Sequence, residues 1–325
     1  MKRLLVAVIL AILAYSAWWF YAAHDLRSSV ADWFAGQRAA GLQADYADLT
    51  VLGFPNRTDL TITEPALAAA DSGFGWQAPF LQILGLSYKQ GHVIVAWPDA
   101  QTLTTPEGDI DITSDGLRAS VVHEDGMLIR TNLEATVLNL TGQDQALAMA
   151  DVNGALQRIE TTPSSYRIAL SIGSMAATSP QAVPQIGPDS LASLRAELDL
   201  GLDQPLSFDA LTGAPAQITN VTLHRSEITY GSVTFKVTGE ATLDNEGRAS
   251  GEITLSAENW REAIAAARDS GALPPALSDG LIDLLSMLST FNGARDELDV
   301  TLGLNRGTVL LGPIPIGTLP PIQWR

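Results

Sequence analysis

Residues able to hold a metal or move a proton are the natural place to begin. Asp111-x-Thr113-x-Asp115-Gly116 sets side-chain oxygens at alternate positions with a glycine sixth, as a calcium loop does. The twelfth position of such a loop must supply a bidentate carboxylate, and here it is Val122, so an Asp-Gly hairpin turn is the better reading. The 4 histidines, His24, His92, His123 and His224, stand far apart, and His123-Glu124-Asp125-Gly126 reads as a strand entering another Asp-Gly turn. With Cys 0, disulfides, thiolate metal sites and a cysteine nucleophile are excluded together. The chain has no Gly-x-Ser-x-Gly elbow, no phosphate-cradling glycine loop and no dinucleotide fingerprint. Its 36 acidic residues fall mostly on the wet positions of alternating segments, and none pair off by spacing. A pair of carboxylates could converge in space, but spacing singles out no catalytic group, metal ligand set or cofactor site among these residues. The expectation is a protein that is not an enzyme.

What the chain does offer is apolar surface laid out with a period of two. Val233, Phe235, Val237, Gly239, Ala241 and Leu243 alternate with Thr234, Lys236, Thr238, Glu240, Thr242 and Asp244. After an Asn245-Glu246-Gly247 turn, Ala249, Gly251, Ile253 and Leu255 alternate with Ser250, Glu252 and Thr254. This pattern predicts a long antiparallel hairpin with one apolar and one wet face. Residues 194–202 and 298–304 repeat it, and 109–113, 117–123, 133–137 and 168–172 do so more weakly. Two segments change period. Residues 259–268 carry Trp260, Ile264 and Ala267 at helical spacing, and 276–291, after Pro274-Pro275, carry Leu277, Leu281, Leu284, Leu285 and Leu288. The predicted fold is mostly β: curved antiparallel sheets, as a half-barrel or two packed sheets, with a C-terminal helical pair and an N-terminal transmembrane helix. The Ser-, Ala- and Pro-rich stretch 173–188 is the best internal boundary. We therefore expect an anchor over 1–24, a juxtamembrane amphipathic helix over 25–42, a first β subdomain over 43–185 and a second over 186–325, its helices near 258–291.

Lys2 and Arg3 precede an uncharged run over residues 4–23, closed by His24 and Asp25. Twenty residues at about 1.5 Å each reach about 30 Å, the thickness of a bilayer's hydrocarbon core. Positive charge at the amino end keeps that end cytoplasmic, so the remainder is exported. Trp18, Trp19 and Tyr21 crowd the far end, where amphipathic rings favour the head-group level. A cleaved signal peptide is the rival reading. Ala14-Tyr15-Ser16 offers small residues at the two required positions, but aromatics follow it directly, which favours an uncleaved anchor. In residues 26–40, Leu26, Val30, Trp33 and Phe34 form a stripe that either rests on the membrane or packs on the first strands. Hydrophobic residues make up 46% of the chain, enough for a core, which excludes disorder. A net charge of −17 argues against nucleic acid as a partner.

Gly53-Phe54-Pro55-Asn56-Arg57 punctuates two early strands, and Gly75-Trp76-Gln77-Ala78-Pro79, His92 to Pro98 and the closing Leu311-Gly312-Pro313-Ile314-Pro315 follow. With these motifs the chain resembles a family of uncharacterised, membrane-anchored envelope proteins of Gram-negative bacteria, a domain of unknown function with a Gly-Phe-Pro-x-Arg turn. The resemblance covers nearly the whole chain and implies no activity. A looser one is to inner-membrane proteins of the AsmA kind, in which elongated curved sheets shelter acyl chains. Phe54, Trp76 and Trp97 are read as core-filling aromatics.

The functional expectation follows. The protein is placed in the bacterial inner membrane, crossing once through residues 4–23, with its body in the periplasm and Trp18, Trp19 and Tyr21 at the membrane interface. It binds or handles a lipid or other hydrophobic ligand; an envelope scaffold or assembly partner without catalysis is the alternative. Val237, Gly239, Ala241, Gly251 and Ile253, with Leu281 and Leu285 from the second helix, are the candidates to face an acyl chain. The small residues among them leave room that larger ones would fill. No cofactor is expected, and the sequence names no protein partner.

Overall fold

The computed structural model describes residues 1–69, 72–177, 191–207, 216–269, 282, 286 and 297–322. The apolar run and the stretch behind it form one helix, α1 (Lys2–Ala39), of 38 residues and about 57 Å. The separate juxtamembrane helix is thus a continuation. No glycine or proline interrupts the chain before Gly36, so nothing breaks the helical hydrogen bonding at His24-Asp25. It stops where Gly41, at φ 95°, donates to the Arg38 carbonyl (3.1 Å) and Leu42 donates to that of Gln37 (3.1 Å), the paired bonds of a Schellman cap.

The described chain divides into two compact units, one of residues 1–123 with 134–144, the other of residues 124–133 with 145–325. The first contains α1 and, in chain order, β1 (Gln43–Asp45), β2 (Asp48–Leu52), β3 (Arg57–Thr63), β4 (Ala66–Ala69), β5 (Phe74–Gln77) and β6 (Phe80–Leu86). It continues through β7 (Lys89–Ala96), β8 (Ala100–Thr105), β9 (Gly108–Asp115), β10 (Arg118–Glu124) and the later part of β11 (Met127–Thr141). Pairing is antiparallel throughout and makes two ladders. One runs β2, β3, β6, β7, β10; the other runs β1, β4, β5, β8, β9, β11. Successive hairpins therefore fall alternately in one ladder and the other. Asp115-Gly116, expected as a hairpin turn, is instead a passage between ladders, because β9 pairs with β8 and β11 while β10 pairs with β7.

Each ladder has an apolar side. Val51, Leu60, Ile83, Val95 and Ala119 stand in one row across the first, and Ala44, Leu67, Trp76, Leu103 and Ile110 across the second. Ala44, Leu49, Leu60 and Ile62 share a buried core with Phe34 of α1, and Leu26, Val30, Leu67 and Leu81 pack around it. The α1 stripe thus packs on the first strands. Trp33, at the edge of that stripe, is 43% exposed.

The second unit is a meander in which every strand pairs with the next: β12 (Ala146–Ile159), β13 (Thr162–Ala177), β14 (Ala192–Leu202), β15 (Ile218–Tyr230), β16 (Val233–Leu243), β17 (Ala249–Glu258), β18 (Glu297–Asn305), β19 (Thr308–Leu311) and β20 (Ile314–Thr318). The expected hairpin is β16–β17, in register from Thr234 opposite Glu258 to Leu243 opposite Ala249. Its turn is held by the Asp244 carboxylate, which accepts the backbone N–H groups of Glu246 and Arg248, each at 3.0 Å. A short helix, α2 (Trp260–Asp269), follows β17, with Trp260 buried. The second helix expected over 276–291 and the boundary proposed for 173–188 lie largely outside the described residues, and so do Leu281 and Leu285.

Candidate functional site

Register turns the alternating pattern of the second unit into one surface. Across seven strands, β12 to β18, Leu156, Ile168, Leu198, Leu223, Gly239, Ile253 and Leu302 lie opposite one another in sequence. The adjacent rows contain Val221, Ala241, Gly251 and Leu304 on one side, and Ser226, Val237, Leu255 and Val300 on the other. A further row holds Val152, Ile172, Leu194, Ile228, Phe235, Ala257 and Leu298. Cross-strand partners share a face, so these rows form a continuous apolar field.

The field is buried at both ends and most exposed between them. At one end Tyr166, Leu200, Leu202 and Ala216 are buried together, with Leu206, Ile218 and Val221 against them. The Tyr166 hydroxyl pins this end, receiving the Leu206 N–H at 2.9 Å and donating to the Leu128 carbonyl at 3.4 Å. At the other end Ala192, Tyr230 and Val233 are buried in one row, and just inside them Ile228, Phe235 and Leu255 are 42%, 38% and 40% exposed. The sequence candidates Val237, Gly239, Ala241, Gly251 and Ile253 lie between, brought together as direct neighbours on β16 and β17. Phe235, Leu255 and Ile228, the most open members, were not singled out by sequence. The signal for the first two was there, because they occupy the same alternating positions of the same hairpin.

The two glycines have a backbone reason. Gly239 has φ 144° and Gly251 φ 157°, and a Cβ on them would come within 2.3 Å of the Glu252 carbonyl oxygen and 2.1 Å of that of Glu240. The space a side chain would take is already filled by the neighbouring strand. Neither glycine therefore leaves space on this face that a larger residue would fill.

The wet side of the same strands carries an ion cluster. Arg167 donates to both oxygens of Asp199, at 2.8 and 2.9 Å, and His224 Nε2 stands 2.8 Å from Asp199 Oδ2. The Arg167 hydrogen bonds hold the Asp199 carboxyl well below its ordinary value, at about 2, against the opposing effect of burial, and His224 assists. A carboxylate gripped on both oxygens by a guanidinium ties β13 to β14 and has little proton affinity left for acid–base work.

In the first unit, Asp111, Thr113 and Asp115 lie on the extended strand β9, with Thr113 accepting from Asn139 at 3.3 Å, and so do not form a calcium loop. Among the described residues no three His, Asp or Glu side chains gather to hold a metal. An open recess of about 730 Å³ is lined by Glu64, Pro65, Gln77, Thr102, Asp111 and Ile112, among others.

The early turn meets α1. The Tyr15 hydroxyl donates to the Pro55 carbonyl at 2.6 Å, and the Trp19 indole N–H donates to that of Arg57 at 2.9 Å. Trp19 is buried, whereas Trp18 and Tyr21 are 43% and 69% exposed. Phe54, expected inside a core, is 47% exposed, its ring stacked on Phe20. Trp76 lies on the apolar row of its ladder and donates to Gln101 at 2.9 Å.

α1 is the one helix among the described residues long and apolar enough to cross a membrane. No curated protein and no solved structure matches the chain. A family model does match, over residues 19–320, from the first buried residue of α1 to two residues past the end of β20. The chain belongs to that family, DUF2125, described as an uncharacterized protein conserved in bacteria.

Proposed function

We propose that the protein is anchored once in the bacterial inner membrane by α1, with its body in the periplasm, and that the apolar field of the second unit shelters a lipid acyl chain or similar hydrophobe without catalysing a reaction. The observation that carries this reading is the seven-strand field in which Ile228, Phe235 and Leu255 are about two-fifths exposed. For a contiguous apolar patch on a chain tethered to a membrane, lipid is the most concentrated ligand. Lys2 and Arg3 ahead of the apolar run favour the orientation.

A scaffold that binds no lipid is the second reading. The backbone contacts that Gly239 and Gly251 require favour it, because they explain two small residues without a ligand. Native mass spectrometry of the full-length protein, gently released from detergent, separates the two. On the first reading one acyl lipid stays bound, and Ala241→Trp expels it with little loss of stability. No retained lipid, together with a loss of about 1–3 kcal/mol in that variant from overpacking, leaves the scaffold. Gly251→Trp does not serve, because its side chain would collide with the Glu240 carbonyl whether or not a ligand binds.

A further inference from the structure

We propose that the tip formed by residues 52–56 and 86–88 is inserted in the body-side leaflet of the membrane that α1 crosses. The inference rests on the anchoring reading and adds to it a second point of contact with lipid. Both turns are tied to α1 within its apolar run. Tyr15 donates to the Pro55 carbonyl at 2.6 Å and lies 3.1 Å from Ser87 Oγ. Trp19 donates to the Arg57 carbonyl at 2.9 Å, and the Phe54 ring lies 5.4 Å from that of Trp19 and 5.6 Å from that of Phe20.

The depth follows from helix geometry. Residues 4–23 need their whole length, about 30 Å, to fill the hydrocarbon layer. Tyr15 stands nine residues before His24, about 13 Å inside the level where the run ends. Were the tip to stay in water, only residues 4–14 would be left for the membrane, about 16 Å, roughly half a bilayer core. An α1 that spans must therefore carry the tip in with it.

The chemistry of the tip agrees. Turns at strand ends ordinarily carry small polar residues. Here Leu52 is 65% exposed, Phe54 47%, Leu86 37% and Tyr88 73%. Lys89 beside them is exposed and long enough to reach lipid phosphates while its stem lies along the acyl region.

The chain has Cys 0, so single cysteines can be spin-labelled without a background. The full-length variants Leu52→Cys and Tyr88→Cys, in vesicles of phosphatidylethanolamine and phosphatidylglycerol, are compared with Leu10→Cys inside the apolar run and Glu107→Cys in a turn of the other ladder. Both tip positions are well exposed, so the label disturbs no core. The expected result is an oxygen-to-nickel accessibility ratio at 52 and 88 several-fold above that at 107 and approaching that at 10. A ratio at 52 and 88 equal to that at 107, with 10 immersed, overturns the tip insertion and leaves the anchor standing. A water-like ratio at 10 as well overturns the anchor, and the tip with it.

Discussion

Gly251 and Asp199 make opposite kinds of demand on their surroundings, and each gives a prediction. Gly251 is held where a side chain would strike the Glu240 carbonyl at 2.1 Å, so Gly251→Ala should cost about 1–3 kcal/mol. Gly154, also in a strand of this unit, is the control: its nearest contact would be Leu133 Cβ at 3.7 Å, so Gly154→Ala should change stability by less than about 0.5 kcal/mol. Urea unfolding of the two variants checks the contrast, and equal effects would refute it. For Asp199, ionisation in the folded state persists down to about pH 2, whereas an unfolded aspartate protonates near pH 4. Its contribution to stability is therefore fully present above about pH 4 and fades as the pH falls toward 2. Because Arg167 is half exposed, the contribution is that of a surface pair, about 0.2–1 kcal/mol. Asp199→Asn should be less stable than the parent by that amount at pH 7, with the gap closing by pH 2 in urea midpoints taken across the range. Neither role was legible in sequence. Period-two alternation gives the side on which Gly251 and Asp199 lie, but the carbonyl above the glycine and the cation beside the aspartate belong to other strands.

Helix α1 and the hairpins mark how far patterning reaches at the scale of elements. The stripe Leu26, Val30, Trp33, Phe34 is plain in the sequence, yet membrane and protein satisfy such a stripe equally well, and only the strands under Phe34 decide between them. Phe34→Ala should therefore cost about 3–5 kcal/mol and speed hydrogen exchange in the last turns of α1, as expected for emptying a buried ring site. Trp33→Ala, at a position 43% exposed, should leave exchange there nearly unchanged. The β16–β17 hairpin was readable to its turn because its strands are adjacent in sequence and its alternation is unbroken. The two ladders of the first unit were not readable. A strand's period says which face is apolar and nothing about which strand lies beside it, so the passage at Asp115-Gly116 looks in sequence like any hairpin turn. Phe54 was misread for a related reason: an aromatic next to Pro55 suits a core as well as it suits a surface tip packed on α1.

At the scale of the molecule, the account joins an anchor to an apolar field. For the anchor, alkaline phosphatase fused after residue 325 should be active in intact cells, and an active cytoplasmic reporter at that point would reverse the orientation. For the field, Leu255→Glu places a charge in its exposed part at a residue 40% exposed, so the protein should fold and keep its stability within about 1 kcal/mol while losing affinity for acyl chains. The central claim is that acyl chains occupy this field and not merely the surroundings of α1, and site-resolved photo-crosslinking tests it most directly. Full-length protein in vesicles containing a phospholipid with a diazirine in its acyl chain is irradiated and its labelled peptides are mapped. The account predicts adducts in β15 to β17, around Ile228, Phe235 and Leu255, that Leu255→Glu removes while labelling of α1 persists. Adducts confined to α1 and the tip at residues 52–56 and 86–88, with none on β15 to β17, would contradict it.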